Sequence, residues 1–264
     1  MKAEFAIIGG TGVYDPKSLE QPKQHIVETA YGNAQVTIGS FAGKTIAFLP
    51  RHGYGHSVPP HKINYMANMM ALKQLGATQV FATAAVGSLR EYMPPGSFVI
   101  VDQFLDFTKS RPVTYYDGSH PSGIVHVDMT EPYCRRLSEA LAQASSANNI
   151  AVVKGGVYVC TEGPRFETPA EIRMFRQLGG DIVGMTSVPE VVLAKELGLC
   201  YATVAMVTNL AAGISQTPLT HEEVVTTMGK NVARIRELFF ATIERLSDER
   251  DCRCPRSVED LGAL

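Results

Sequence analysis

A single α/β domain on a mixed, mostly parallel sheet is the fold this sequence predicts, and three observations carry the prediction. Short continuous apolar runs alternate with amphipathic helical stretches, the pattern of a sheet covered on both faces. No repeat, low-complexity tract or linker interrupts them. The 264 residues, 45% hydrophobic and 19% charged, suffice for one sizeable core and exclude a disordered, collagenous or coiled-coil chain.

In chain order, Phe5 to Ile8, Thr45 to Leu49, Gln79 to Ala85, Phe98 to Val101, Ala151 to Cys160, Asp181 to Met185 and Tyr201 to Val207 read as strands. Helical patterns fall between them at Ile63 to Leu75, Glu131 to Ser145, Pro169 to Leu178, Val188 to Leu197 and His221 to Leu246. In the last, Val224, Met228, Val232, Ile235, Phe239, Ile243 and Leu246 recur at steps of three or four and predict one buried stripe. Residues 1–247 are therefore expected to form the domain, and 248–264 a charged, loosely held tail with a C-x-C pair.

Lys plus Arg is 24 against 26 Asp plus Glu, a net charge of −2 that gives no global attraction to nucleic acid or anionic lipid. The apolar run near the N-terminus, Phe5 to Ile8, is too brief for a secretory signal core, and the expected location is cytoplasmic. The uncharged stretch Cys200 to Thr220 is long enough for a bilayer, but Asn209, Gly213, Gln216 and Pro218 mark it as a buried strand followed by a loop. Cys134, Cys160 and Cys200 sit in apolar settings as small buried residues. Cys252 and Cys254 are open to three readings, as exposed thiols, a tail staple or metal ligands. With no second Cys or His cluster nearby in sequence, no metal site is expected.

Ligands of such sheets gather beyond the carboxyl ends of the strands. Gly9-Gly10-Thr11-Gly12, after the first strand, reads either as an anion-binding turn or as a plain tight turn. Pro50-Arg51-His52-Gly53-Tyr54-Gly55-His56 concentrates an Arg and two His in a glycine-rich turn, where a guanidinium fork suits phosphate. Thr161 to Glu167 leads into Thr168-Pro169-Ala170-Glu171, a capping box with Pro at the first helical position. Phe166 and Glu167 thus stand just outside a helix, a ring beside a carboxylate that suits a heterocycle. Gly184-Met185-Thr186 precedes Ser187-Val188-Pro189-Glu190, a second expected box, which places Thr186 at a helix start and makes Glu190 the box acceptor. A third box, Thr220-His221-Glu222-Glu223, puts His221 at the head of the last helix, where the positive helix end favours a neutral imidazole. There is no Walker A loop, G-x-S-x-G, H-E-x-x-H or G-x-G-x-x-G, so the residues favour binding of an anion and a flat polar ring without metal or dinucleotide.

Ile8-Gly9-Gly10-Thr11-Gly12, Arg51-His52-Gly53, Gly87-Ser88-Leu89-Arg90, Glu162-Gly163-Pro164-Arg165-Phe166 and Met185 to Val191 resemble, in this order, the trimeric nucleoside phosphorylase family, over roughly residues 4–246. Pro60 to Tyr65 and Asp102-Gln103-Phe104 are most similar to its methylthioadenosine phosphorylase branch, whose members from heat-loving organisms also end in a C-x-C tail. The resemblance implies phosphorolysis, in which inorganic phosphate attacks C1′ of a purine nucleoside, with no other cofactor. It implies that Thr11, Arg51, His52, Thr186 and the backbone at Ala85 hold phosphate, that Met185 contacts the ribose and that Phe166 stacks near the base. It also implies a homotrimer, or a hexamer of two trimers, in which His126 serves the 5′ end of the neighbouring subunit's substrate. Ala84 stands where the family usually has Thr, Ser or Asn.

The base and 5′ pockets depart from the methylthioadenosine branch, which has T-D-x-D in place of Thr208-Asn209-Leu210-Ala211 and Ser in place of Glu167. Phe166-Glu167-Thr168, Thr208-Asn209 and His221 to Val224 resemble the purine nucleoside phosphorylase branch instead. The physics agrees. A 6-oxopurine presents an N1–H that Glu167 can accept, and the Asn209 amide can donate to O6 or N7. The expected reaction is phosphorolysis of inosine and guanosine, with catalytic roles for Asn209, Glu167, Arg51 and His52. His221 would bond the 5′-hydroxyl. The alternatives are a 5′-methylthioinosine or 5′-methylthioadenosine phosphorylase and, from another class, a non-catalytic purine-binding protein.

Overall fold

Strand β1 (Phe5–Gly9) is buried along its whole length and lies parallel to both β4 (Lys44–Pro50) and β5 (Gln79–Ser88). Its side chains alternate between two separate cores, Phe5 and Ile7 on one face, Ala6 and Ile8 on the other. This two-faced burial explains why the run is apolar without interruption. These relationships come from a computed structural model that describes residues 2–9, 18–214, 221–247 and 249–259, without the side chains of 221–225 and 230.

The remaining strands are β2 (Glu20–Thr29), β3 (Gly32–Phe41), β6 (Phe98–Ile100), β7 (Gln103–Phe107), β8 (Val152–Lys154), β9 (Val157–Thr161), β10 (Ile182–Gly184) and β11 (Cys200–Leu210). The path β2-β3-β4-β1-β5-β10-β9-β7 carries a branch in which β11 joins β5 to β6, and β6 joins β8. The sheet is mixed and mostly parallel. Its antiparallel pairs are β2–β3, β3–β4, β5–β10 and β6–β11. Helices α2 (Arg135–Ala147) and α5 (His221–Arg245) contribute to the core that holds Phe5, while α1 (Tyr65–Gln74) and α4 (Ser187–Glu196) cover the opposite face. Helix α3 (Pro169–Gln177) packs Ile172 and Phe175 on a smaller cluster with Val159 and Val183.

Each predicted helix is present, with ends shifted by a few residues. The run Ala151 to Cys160 is two strands rather than one. Gly155 has φ +81 and a Cβ there would meet Asp102 Oδ2 at 2.9 Å, while the Asp102 carboxylate accepts the Gly156 N–H at 2.9 Å. The sequence reading misses β2, β3 and β7. Strand β2 is largely exposed and shows no apolar alternation, so it lacks the signal that marks a core strand. On α5, Met228, Val232, Ile235, Phe239 and Ile243 are buried as expected; Leu246 lies beyond the helix end, and the side chain of Val224 is outside the described residues.

The C-terminal segment corrects the expectation of a loose tail. Arg250 donates to the Gly198 carbonyl at 3.1 Å, Ser257 Oγ donates to the Lys195 carbonyl, and Arg136 pairs with Asp251 at 3.5 Å. Cys254 is buried, so this segment, through residue 259, packs against the starts of α2 and β11.

Candidate active site

The carboxyl ends of β4, β5, β10 and β11, with the loop after β9, surround a cavity of about 260 Å³. Arg51, His52, Ala84, Ala85, Phe166, Glu167, Met185, Thr186, Thr208 and Asn209 all line it. Residues separated by up to 158 positions thus converge where the strand topology predicts a ligand.

Arg51 follows β4 and is 3% exposed. Its Nε donates to Glu190 Oε1 at 2.8 Å, Nη2 to Glu190 Oε2 at 2.6 Å and Nη1 to the Thr83 carbonyl at 2.7 Å. Two of the five guanidinium N–H groups are left, one on each Nη. Burial alone would lower the Arg51 pKa, but the Glu190 carboxylate outweighs it and raises the pKa above its ordinary value. Glu190 is fully buried and also accepts from Tyr201 Oη at 2.7 Å.

This arrangement corrects the expected capping box at Ser187. Val188 is extended (φ −114, ψ 131), Ser187 Oγ pairs with Tyr133 Oη at 2.6 Å, and Glu190 is taken by Arg51. The regular helix therefore starts beyond Thr186, whose side chain makes no capping bond. Gly184 is required beside it, since a Cβ there would fall 2.1 Å from Tyr158 Oη. The box at Thr168 forms as expected, with Thr168 Oγ1 accepting from the Glu171 N–H at 3.2 Å and Glu171 Oε2 accepting from the Thr168 N–H at 2.7 Å.

His52 Nδ1 donates to the Val58 carbonyl at 2.8 Å, a partner that can only accept, so Nε2 carries the lone pair of a neutral ring. Desolvation, with the Arg51 charge adding to it, lowers the His52 pKa from 6.5 to about 4. The site thus holds a neutral imidazole beside a fixed cation.

On the opposite side, Thr161 Oγ1 donates to Glu167 Oε1 at 2.6 Å and orients the carboxylate. Burial raises the Glu167 pKa against this hydrogen bond. The β11 register shifts between Val207 and Asn209, an irregularity that re-aims the strand end at the cavity. Thr208 Oγ1 donates to Asn209 Oδ1 at 2.8 Å, and Asn209 Nδ2 donates to the Leu210 carbonyl at 3.0 Å. With its oxygen held by a hydroxyl, the amide keeps its second N–H as a donor. Phe166, 43% exposed, forms part of the wall.

Not every expected residue is brought in. His126 is exposed and does not line the cavity. Thr11 lies outside the described residues; His221 opens α5, but its side chain and Thr220 also lie outside them. One residue was missed. Arg111, 8% exposed, donates through Nη1 to the carbonyls of Met185 and Val188, each at 2.7 Å, and through Nη2 to those of Thr161 (3.2 Å) and Glu162 (2.7 Å). It also pairs with the Glu162 carboxylate at 3.2 Å, joining the loops that carry Met185 and Glu167.

The chain matches the Phosphorylase superfamily over residues 4–244. It belongs to that family. It is 56% identical over 250 residues to a probable 6-oxopurine nucleoside phosphorylase of Moorella thermoacetica, covering 95% of this chain and 96% of that one. It is 52% identical over 259 residues to a 6-oxopurine nucleoside phosphorylase of Pyrococcus furiosus, covering 97% of each. A methylthioadenosine phosphorylase from Schistosoma mansoni in complex with adenine superposes with a TM-score of 0.91 at 35% identity, over 98% of this chain and all of that one. Among the described residues, no helix is long and apolar enough to cross a membrane.

Proposed function

We infer that this phosphorylase cleaves 6-oxopurine nucleosides, inosine and guanosine first, to free base and ribose 1-phosphate, with inorganic phosphate as co-substrate and no other cofactor. The observation that carries the reading is the pairing of Glu167, an oriented acceptor, with Asn209, an amide whose free group is a donor. A 6-oxopurine offers the complement, an N1–H donor with O6 and N7 acceptors. Adenine offers an acceptor at N1, which would face a carboxylate with no proton between them.

The reaction runs by displacement at C1′. A phosphate oxygen forms the new C–O bond, the N9–C1′ bond breaks, and its electron pair passes into the purine. Charge therefore grows positive on the ribose and negative on the base. Arg51 directs its remaining N–H groups at the phosphate, and His52 Nε2 accepts the O–H of monohydrogen phosphate, with Thr186, Thr11 and the backbone at Ala85 completing the cradle. Asn209 stabilises the departing base by donating to N7 or O6, the N7 proton coming from water, since an amide is no acid at neutral pH. Met185 contacts the ribose and His221 bonds the 5′-hydroxyl. His126, exposed and away from this chain's own cavity, serves a neighbouring site in a homotrimer or a hexamer of two trimers.

Release of hypoxanthine from inosine tests the reading. It should require phosphate and yield an equal amount of ribose 1-phosphate. Release that proceeds equally without phosphate, or no release, would contradict it.

A further inference from the structure

The C-x-C pair acquires in three dimensions the second pair that the sequence does not put near it. Cys134 immediately precedes α2, Cys200 opens β11, and Cys252 and Cys254 come from the C-terminal segment. Their four Sγ atoms all lie within 4.8 Å of one another, with Cys200 and Cys252 at 3.4 Å. We propose that Cys134, Cys200, Cys252 and Cys254 form a structural tetrathiolate site for one divalent cation of the zinc class, which pins the C-terminal segment to the domain.

Size and donor set agree. Four thiolates at about 2.3 Å from a tetrahedral zinc stand roughly 3.8 Å apart, so shifts of an ångström or less bring these sulfurs to the metal. A closed set of four sulfur ligands is the pattern of structural rather than catalytic zinc, and soft thiolates select such a cation over magnesium or calcium. Cys134, Cys200 and Cys254 are buried and Cys252 is half-buried, at the side where a surface opening lined by Cys134, Cys252 and Cys254 gives a cation entry. Binding is a proton exchange without redox change, one M²⁺ displacing a proton from each of four thiols to leave a doubly negative centre.

The site is far from the reaction chemistry in role. It closes a loop between residues 134 and 254, fastening the segment after α5, and it contributes no atom to the cavity that holds Arg51 and Asn209.

The test uses the full chain, isolated without reductant. Metal analysis should find about one zinc per chain with no disulfide by mass, and replacement by Co²⁺ should give thiolate-to-cobalt charge-transfer absorption and intense tetrahedral ligand-field bands. Cys252→Ser and Cys254→Ser should each lose the metal and lower the melting temperature by roughly 5 to 15 °C, with kcat/KM for inosine at 25 °C unchanged. The native-chain metal analysis stands even if the variants fail to fold. Two disulfides without metal, or four free thiols that take up neither Zn²⁺ nor Co²⁺, would overturn the proposal.

Discussion

The guanidinium of Arg51 and the carboxylate of Glu190 meet as a two-pronged buried ion pair, at 2.8 and 2.6 Å, 139 residues apart in sequence. Glu190 is fixed in turn by Tyr201, so β4, α4 and β11 jointly determine where the cation of the site stands. Three donors are spent on holding the group, and the fork reaches the cavity already oriented. An anion would meet it without reorganisation.

Breaking this pair should cost stability and phosphate use separately. Glu190→Gln strands a buried cation and is expected to destabilise the protein by about 3–5 kcal/mol while lowering kcat/KM for phosphate at least about tenfold. The double variant Arg51→Met, Glu190→Leu should recover most of the stability, since an apolar pair avoids the desolvation penalty, but none of the phosphate use. Denaturant titration with steady-state kinetics checks both. Recovery of phosphate kinetics in the double variant would remove Arg51 from the site chemistry.

His52 gives a pH signature. Its pKa falls from 6.5 to about 4 on folding, so the folded state prefers the neutral ring. The unfolded chain binds more protons between these values; the stabilising contribution is complete above about pH 6.5 and is lost as pH falls toward 4, amounting to as much as about 3 kcal/mol. His52→Asn keeps an N–H for the Val58 carbonyl and should flatten the stability slope in that window. An unchanged slope in urea titrations at several pH values would contradict the assignment.

Glu167 links base discrimination to pH. Burial raises its pKa above the ordinary 4.5, so acid protonates it while much of the protein's surface is still ionised. The protonated form can donate to N1 of adenine and loses the acceptor for a 6-oxopurine. The ratio of kcat/KM for inosine over adenosine should fall as the pH is lowered, and Glu167→Gln should flatten that change. A pH-independent ratio in the unmodified enzyme would show that Glu167 does not read N1.

Asn209→Ala should lower kcat by about 10²–10³ while changing KM for phosphate little, because the donor acts on charge that develops only as the base departs. Equal turnover would remove Asn209 from transition-state stabilisation.

How much of this was legible in the sequence follows from where each signal resides. Strands buried on both faces, such as β1 and β11, declare themselves by uninterrupted apolar runs, and α3 by Thr168 and Glu171. Strand β2 does not, because its residues face solvent and its register is held by β3 alone. Loop positions after the strands marked Arg51, His52, Glu167, Asn209 and Thr186 as residues of one site. The partners that orient them were hidden. Glu190 fits a local capping pattern better than a distant ion pair, and Arg111 is a lone arginine in an irregular loop whose carbonyl partners lie 50 to 77 residues away in sequence. The thiol cluster is the extreme case, since only folding brings Cys134 and Cys200 to the C-x-C pair.

The substrate assignment is tested most directly by kcat/KM at saturating phosphate for inosine, guanosine, adenosine, 5′-methylthioinosine and 5′-methylthioadenosine. Inosine and guanosine should lead, with adenosine weaker because its N1 faces the Glu167 carboxylate, and the methylthio compounds weaker because His221 loses its hydroxyl partner. A lead for 5′-methylthioinosine would keep the base pocket and overturn the role of His221; a lead for 5′-methylthioadenosine would contradict the reading of Glu167 and Asn209 on which the account stands.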